Sequence, residues 1–257
     1  VTVELLVLAG VFGLMIGSFL NVCIGRIPAG ESVARPGSRC PSCKTPIAWY
    51  DNIPVVSYAV LGGKCRKCRR PISLRYPIVE LVTAGAFVLQ ASVFGDEPWL
   101  LASRLVLTAI LIVLFGTDFD TQRLPNVLTL PGIAIGLAGS LFLPPGIWDS
   151  LVGAALGAGI LLAIRWLWLR FRGVDAMGLG DVKMLAMIGA FLGWKQVWVV
   201  LVLASFAGAL VGIGLTLAGL RSMQSKLPFG TFLALAGYVA SLWGDQLVVW
   251  YVGLSGI

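Results

Sequence analysis

The chain is 257 residues long, 58% of them hydrophobic, with a formal charge of +7, five cysteines and no histidine. A sequence this apolar has too little polar surface to coat a water-soluble globule, and its mean hydropathy of +0.92 places it among integral membrane proteins. Without histidine there is no Ser-His or Cys-His relay, no His-Glu-x-x-His centre and no mixed Cys/His metal site, and the chain carries no Walker loop.

Residues 3–23 form the first apolar run. Glu4 is its only charge and no basic segment precedes it, so it reads as a membrane span rather than a cleavable signal peptide. Residues 24–76 break the pattern: they are rich in Pro, Gly, Arg and Cys and too long for a simple connector. Two Cys-x-x-Cys pairs, Cys40/Cys43 and Cys65/Cys68, stand about 20 residues apart, the spacing at which two knuckles offer four thiolates to one tetrahedral ion. Zn2+ in a structural role is the ion expected. So short a segment buries too little apolar area to fold unaided, and a four-thiolate ion would hold its turns together. The apolar residues between the knuckles, from Trp49 to Leu61, are expected to supply its minimal core. Cys23, at the end of the first span, reads as a small packing residue.

Further apolar stretches able to cross about 30 Å of hydrocarbon fall near 78–94, 99–117, 127–143, 150–168, 182–193, 196–219 and 229–252, which makes eight spans with the first; 182–193 is the short one. Between Arg26 and Arg75 there are ten Lys and Arg against two acids, Glu31 and Asp51, which places this insertion in the cytoplasm. Alternation then puts Arg123, Arg170, Arg172, Arg221 and Lys226 inside as well, leaves Asp96, Glu97, Asp149 and Lys195 outside, and sets both termini outside. Thiols facing the cytosol stay reduced, which favours a metal over disulfides. The expected fold is an all-α polytopic membrane protein of about eight transmembrane helices with a small cytoplasmic four-cysteine, zinc-ribbon-like domain, divided as 1–23, 24–76 and 77–257.

Glycines such as Gly153, Gly157, Gly159, Gly208, Gly212 and Gly214 are spaced to let helices approach closely. Trp99, Trp148, Trp194 and Trp243 fall near span ends as an interfacial belt would. No sequence repeat stands out. The cations Lys64, Arg66, Lys67, Arg69, Arg70 and Arg75 would fix topology and touch anionic lipid heads; nucleic acid is not an expected partner of a loop tethered to a polytopic membrane domain.

Ionisable residues beside or within spans are costly. Arg104, Arg165 and Asp245 occur singly and read as snorkelling or boundary residues. Asp118 and Asp120 end the third span in Thr117-Asp118-Phe119-Asp120, and Asp181 opens the sixth in Gly178-Leu179-Gly180-Asp181; the topology puts both sites at the cytoplasmic side at similar depth. Two carboxylates brought together at an apolar boundary share a proton. One can then deprotonate a water while the other polarises a peptide carbonyl. The bland alternative makes Asp118 a turn cap and Asp181 a helix N-cap. Position alone does not choose between Asp118 and Asp120, although Asp120 is expected to face solvent.

These residues resemble the bacterial type IV prepilin peptidases, bifunctional leader peptidase/N-methyltransferases of the aspartic Gly-x-Gly-Asp class, over essentially the whole chain. The similarity rests on Gly17-Ser18-Phe19-Leu20-Asn21-Val22, Arg26-Ile27-Pro28, the paired knuckles, Asn52-Ile53-Pro54, Pro71-Ile72-Ser73, Arg75-Tyr76-Pro77 and Glu80-Leu81. The resemblance implies that Asp118, not Asp120, and Asp181 are the catalytic pair. Asn126 departs from the Asp that many members carry after the Pro. The resemblance further implies cleavage, after a Gly, of the basic leader of type 4 prepilins or pseudopilins at the cytoplasmic face of the inner membrane. Methylation of the new N-terminus by S-adenosylmethionine would follow, at a donor site built from the first helix and the cytoplasmic insertion. Asn21 and Glu80 lie there, but polar helix packing accounts for them equally well. The competing reading is a metal-stapled membrane scaffold of a pilus or secretion assembly without catalysis.

Overall fold

The computed structural model describes residues 1–173, 177–219 and 227–255; Arg221 and Lys226 lie outside them. The helices among these residues are α1 (Val3–Arg26), α2 (Val56–Val60), α3 (Arg75–Phe94), α4 (Pro98–Thr121), α5 (Asn126–Gly139), α6 (Ile147–Arg172), α7 (Leu179–Leu192), α8 (Trp194–Leu217) and α9 (Phe229–Ser255), with a 3-10 turn at Trp49–Asn52. All eight expected apolar stretches contain a helix, although the one at 127–143 is helical only to Gly139. Six of these helices, α1, α3, α4, α6, α8 and α9, are long and apolar enough to cross a membrane, whereas α5 and α7 have 14 residues each and extend about 21 Å at the usual helical rise.

The chain falls into two compact units, Val1–Leu101 and the residues from Ala102 onward. In the first, α1 starts at Thr2, whose hydroxyl accepts the Leu5 N–H at 3.4 Å, and Glu4 in its first turn and Arg26 in its last both suit the helix dipole. It packs along α3 through Gly13 and Gly17, where a Cβ would stand 2.6 Å from Ala84 Cα and 2.7 Å from Glu80 Cα. Only a residue without a side chain allows that approach. Asn21 Nδ2 donates to the carbonyls of Gly17 at 3.3 Å and Tyr76 at 3.0 Å, and buried Cys23 is a packing residue as expected. Glu80, buried in α3, accepts the Val55 N–H at 2.7 Å and so holds a valine at φ +61, a conformation that β-branched residues adopt only under constraint.

The insertion does not build the apolar core expected between its knuckles. From Trp49 to Leu61 only Ser57 is buried, and Trp49 and Val60 are 81% and 75% exposed. Polar contacts do the stapling. Asp51 takes a bidentate pair from Arg66, Nε at 2.7 Å and Nη2 at 2.6 Å. The Arg66 guanidinium holds the Asp51 carboxyl below the usual carboxylate range. Arg66 is thus a structural cation as well as a largely exposed one.

In the second unit α7 is the centre. From Val182 to Leu192 every residue but Lys183 is buried, with α5, α6, α8 and α9 packed around it. A helix apolar on all sides is stable only when enclosed. Gly153 and Gly157 of α6 lie against α7 backbone: Cβ atoms there would meet Gly189 O at 2.5 Å and Leu185 O at 2.7 Å. Gly159 and Gly214 meet nothing within 4 Å and are not packing glycines in this structure. Trp99 and Trp148, at the starts of α4 and α6, are both 78% exposed, as a belt requires. Arg104 and Asp245 are not isolated. Arg104 Nη1 donates to the Phe191 carbonyl at 3.4 Å and Asp245 acts on it electrostatically, while Asp245 accepts Gln196 Nε2 at 2.6 Å.

Candidate active site and metal centre

Asp118 lies one turn before the end of α4. The helix stops because Gln122 takes a left-handed conformation, φ +52, and Pro125 lies three residues on and N-caps α5. Asp118 is only 4% exposed. Its Oδ2 accepts two bonds from the first turn of α9, Thr231 N–H at 2.8 Å and Thr231 Oγ1 at 3.1 Å. Oδ1 carries no hydrogen bond from the protein among the described residues, so the carboxylate is oriented through one oxygen. Asp120 is exposed, as its position suggested.

Asp181 is the third residue of α7. Gly178 is the N-cap and makes no side-chain capping bond; the Asp181 carboxylate reaches back to the Gly178 N–H, the reciprocal half of a capping box. Asp181 is therefore not the helix N-cap of the bland alternative but the third residue of α7 reaching back to the cap, and capping does not account for its neighbour: Asp118, 63 positions earlier in the chain, is the charge that acts on it.

Three contacts bring the ends of α4, α7 and α9 together. Leu124 fills the space that a side chain at Gly180 or Gly230 would occupy, with a Cβ on either falling 2.8 and 2.9 Å from it. Gly230 also admits the Asp118 carboxylate, whose Oδ2 would be 2.9 Å from an added Cβ. Lys183 Nζ donates to Asn126 Oδ1 at 2.8 Å, so the residue that departs from the family pattern ties α5 to α7. Thr231 and Gly230 were not identified from the sequence. The signal available was a Pro-Phe-Gly-Thr opening of the last helix, which has no ionisable group to attract notice.

The four cysteines converge. Cys40, Cys43, Cys65 and Cys68 present sulfurs all within 4.8 Å of one another, and Cys40 and Cys68 Sγ are 3.8 Å apart. A tetrahedral ion with metal–sulfur bonds of about 2.3 Å requires sulfurs about 3.8 Å apart, and the thiols are free rather than paired in disulfides. The donor set therefore fits one soft ion. The two knuckles are copies of one turn. Cys40 N–H bonds Thr45 O as Cys65 N–H bonds Arg70 O, both at 2.9 Å. Lys44 and Arg69, each following a second cysteine, have φ +58 and +57, and the bridges Arg39–Pro46 and Lys64–Pro71 correspond. A short repeat, basic-Cys-x-x-Cys-basic-x-Pro-Ile, is thus present at 39–47 and 64–72 where none stood out in the sequence.

Fold and site together define a multi-pass membrane protein with a buried carboxylate, Asp118, acting on a half-buried one, Asp181, and with a four-sulfur cluster in its first unit. The description "Bacterial Peptidase A24 N-terminal domain" matches residues 11–94, and "Type IV leader peptidase family" matches residues 105–213. Curated relatives named prepilin leader peptidase/N-methyltransferase include that of Aeromonas hydrophila, 39% identical over 94% of this chain and 91% of the relative. Those of Pseudomonas aeruginosa, 38% identical over 95% and 92%, and Burkholderia pseudomallei, 36% identical over 98% and 88%, carry the same name. No solved structure matches. The chain belongs to the type IV leader peptidase family.

Proposed function

We propose that this chain is an aspartic endopeptidase of the bacterial inner membrane. It would remove the basic leader of type 4 prepilins or pseudopilins after a Gly and then methylate the new N-terminus. The observation that carries the reading is that Asp118, buried near the end of α4 and oriented by Thr231, acts electrostatically on Asp181. A water between them loses a proton to the ionised acid as its oxygen bonds to the scissile carbonyl carbon. The protonated acid donates to the carbonyl oxygen, and collapse of the adduct breaks the C–N bond as the departing amine takes up a proton. The substrate's leader is cationic and its next segment apolar, so the bond to be cut lies at the cytoplasmic membrane boundary. The positive-inside reading gives the site the same level.

S-adenosylmethionine would supply an electrophilic methyl group. The freed amine, in its neutral form, makes the new N–C bond as the C–S bond breaks; sulfur keeps that electron pair as a neutral thioether, and the amine sheds a proton to water. We assign Zn2+ to the four cysteines of the 24–76 insertion as a structural ion. The test is mass spectrometry of a prepilin N-terminus after incubation with purified protein. The expected product begins after the Gly and gains one methyl only when the donor is present; uncut prepilin overturns the peptidase reading, and cut but unmethylated product overturns the second activity.

A further inference from the structure

The first unit contains a cleft of about 560 Å³ between α1 and the insertion, within the range of small-molecule sites. One wall is apolar, from Met15, Phe19 and Val22 on α1; the polar groups facing it include Ser18, Arg26 and Asn52. Arg26 is preorganised. Its Nη1 donates to the carbonyls of Ser32 at 3.0 Å and Pro36 at 2.8 Å, and Nη2 to that of Gly37 at 3.3 Å. No carboxylate pairs with it among the described residues. A guanidinium fixed by carbonyls and lacking an anion is a recognition group for a carboxylate. The opposite wall, Asn52-Ile53-Pro54, is held by the buried Glu80 carboxylate through the N–H of the strained Val55, so Glu80 is a positioning residue for the cleft.

We propose that this cleft is where the methyl donor binds, with Arg26 receiving its amino-acid carboxylate and the α1 wall covering its apolar faces. The phenyl ring of Phe19 suits a sulfonium cation, as aromatic faces do. The assignment rests on the methyltransferase reading above and gives that activity a location.

The test is calorimetric titration of the purified full chain in nanodiscs with two probes, S-adenosylhomocysteine and 5′-methylthioadenosine, which lacks the carboxylate. Arg26→Gln is expected to weaken adenosylhomocysteine about tenfold or more, the scale of one hydrogen bond to a charged group, and to leave methylthioadenosine unchanged. Val22→Trp, which fills the cleft without touching the Arg26 bonds, is expected to abolish both. Metal content and melting temperature report whether each variant is folded. Equal weakening of both probes by Arg26→Gln overturns the carboxylate assignment. Unchanged binding in Val22→Trp, with wild-type protein still methylating prepilin, overturns the cleft and leaves the activity standing. A wild-type protein that neither binds adenosylhomocysteine nor methylates prepilin removes the activity, and the cleft assignment with it.

Discussion

Gly230→Ala is the sharpest perturbation of the carboxylate pair that leaves both acids in place. The added Cβ would sit 2.9 Å from Asp118 Oδ2, 3.0 Å from its Cγ and 2.9 Å from Leu124 Cδ1. Ordinary contact begins near 3.4 Å, so the carboxylate, Leu124 or the first turn of α9 has to retreat by about half an ångström. Every retreat is harmful. Moving Asp118 breaks its spacing to Asp181, moving α9 draws away the two Thr231 donors, and moving Leu124 presses on Gly180, where contact is already close. Displacements of this order cost catalysis up to about 100-fold, or about 2.7 kcal/mol of barrier. Stability is expected to change much less, because overpacking of about 1–3 kcal/mol is offset by a helix-propensity gain of up to about 1 kcal/mol for replacing glycine. The assay is kcat/KM for leader cleavage in detergent or nanodiscs beside the melting temperature. A variant that melts near wild type and cleaves 10- to 100-fold more slowly, on the order set by that misplacement, fits the geometry; wild-type cleavage refutes the tight seating of Asp118 against α9.

Thr231→Val keeps the backbone N–H but removes the hydroxyl donor on Asp118, so kcat is expected to fall about tenfold, as for one charge-assisted hydrogen bond, and Thr231→Ser to restore it; equal kcat in the valine variant removes the Thr231 hydroxyl from the site and leaves only its N–H. Cys68→Ser is expected to abolish the single bound ion by elemental analysis and to open the 24–76 segment to limited proteolysis, since metal binding and folding are one event in so small a domain; retained metal argues for a three-ligand site. Gly153→Leu drives a side chain into α7 backbone, where even its Cβ would stand 2.5 Å from Gly189 O, and is expected to destabilise the protein by about 1–3 kcal/mol as a lowered melting temperature, whereas Gly159→Leu, with open space around it, is expected to leave it unchanged.

Much of this was legible in residue type and spacing. The thiolate spacing implied the sulfur cluster because two knuckles admit few other geometries, and the scarcity of charge in apolar segments made Asp118 and Asp181 conspicuous. What stayed hidden was carried by groups without such signatures. Thr231 contributes a backbone N–H and a hydroxyl, which any threonine has, and the closeness of Gly230 to Asp118 depends on α9 returning to α4 across more than 100 residues. The insertion's core was misjudged because apolar residues between knuckles suggest burial, while the segment is too small to cover them and closes instead through sulfur, Asp51 and Arg66. Arg104 and Asp245 looked solitary because their meeting also spans most of the chain.

Leader cleavage by this chain needs two acids sharing one water. Replacing each in turn, Asp118→Asn and Asp181→Asn, in folded, metal-loaded protein and following prepilin by mass spectrometry tests it directly. Loss of leader cleavage in both variants, by at least about 1,000-fold on the scale of losing the group that activates the nucleophile, is the result predicted. Cleavage near the wild-type rate in either one contradicts it.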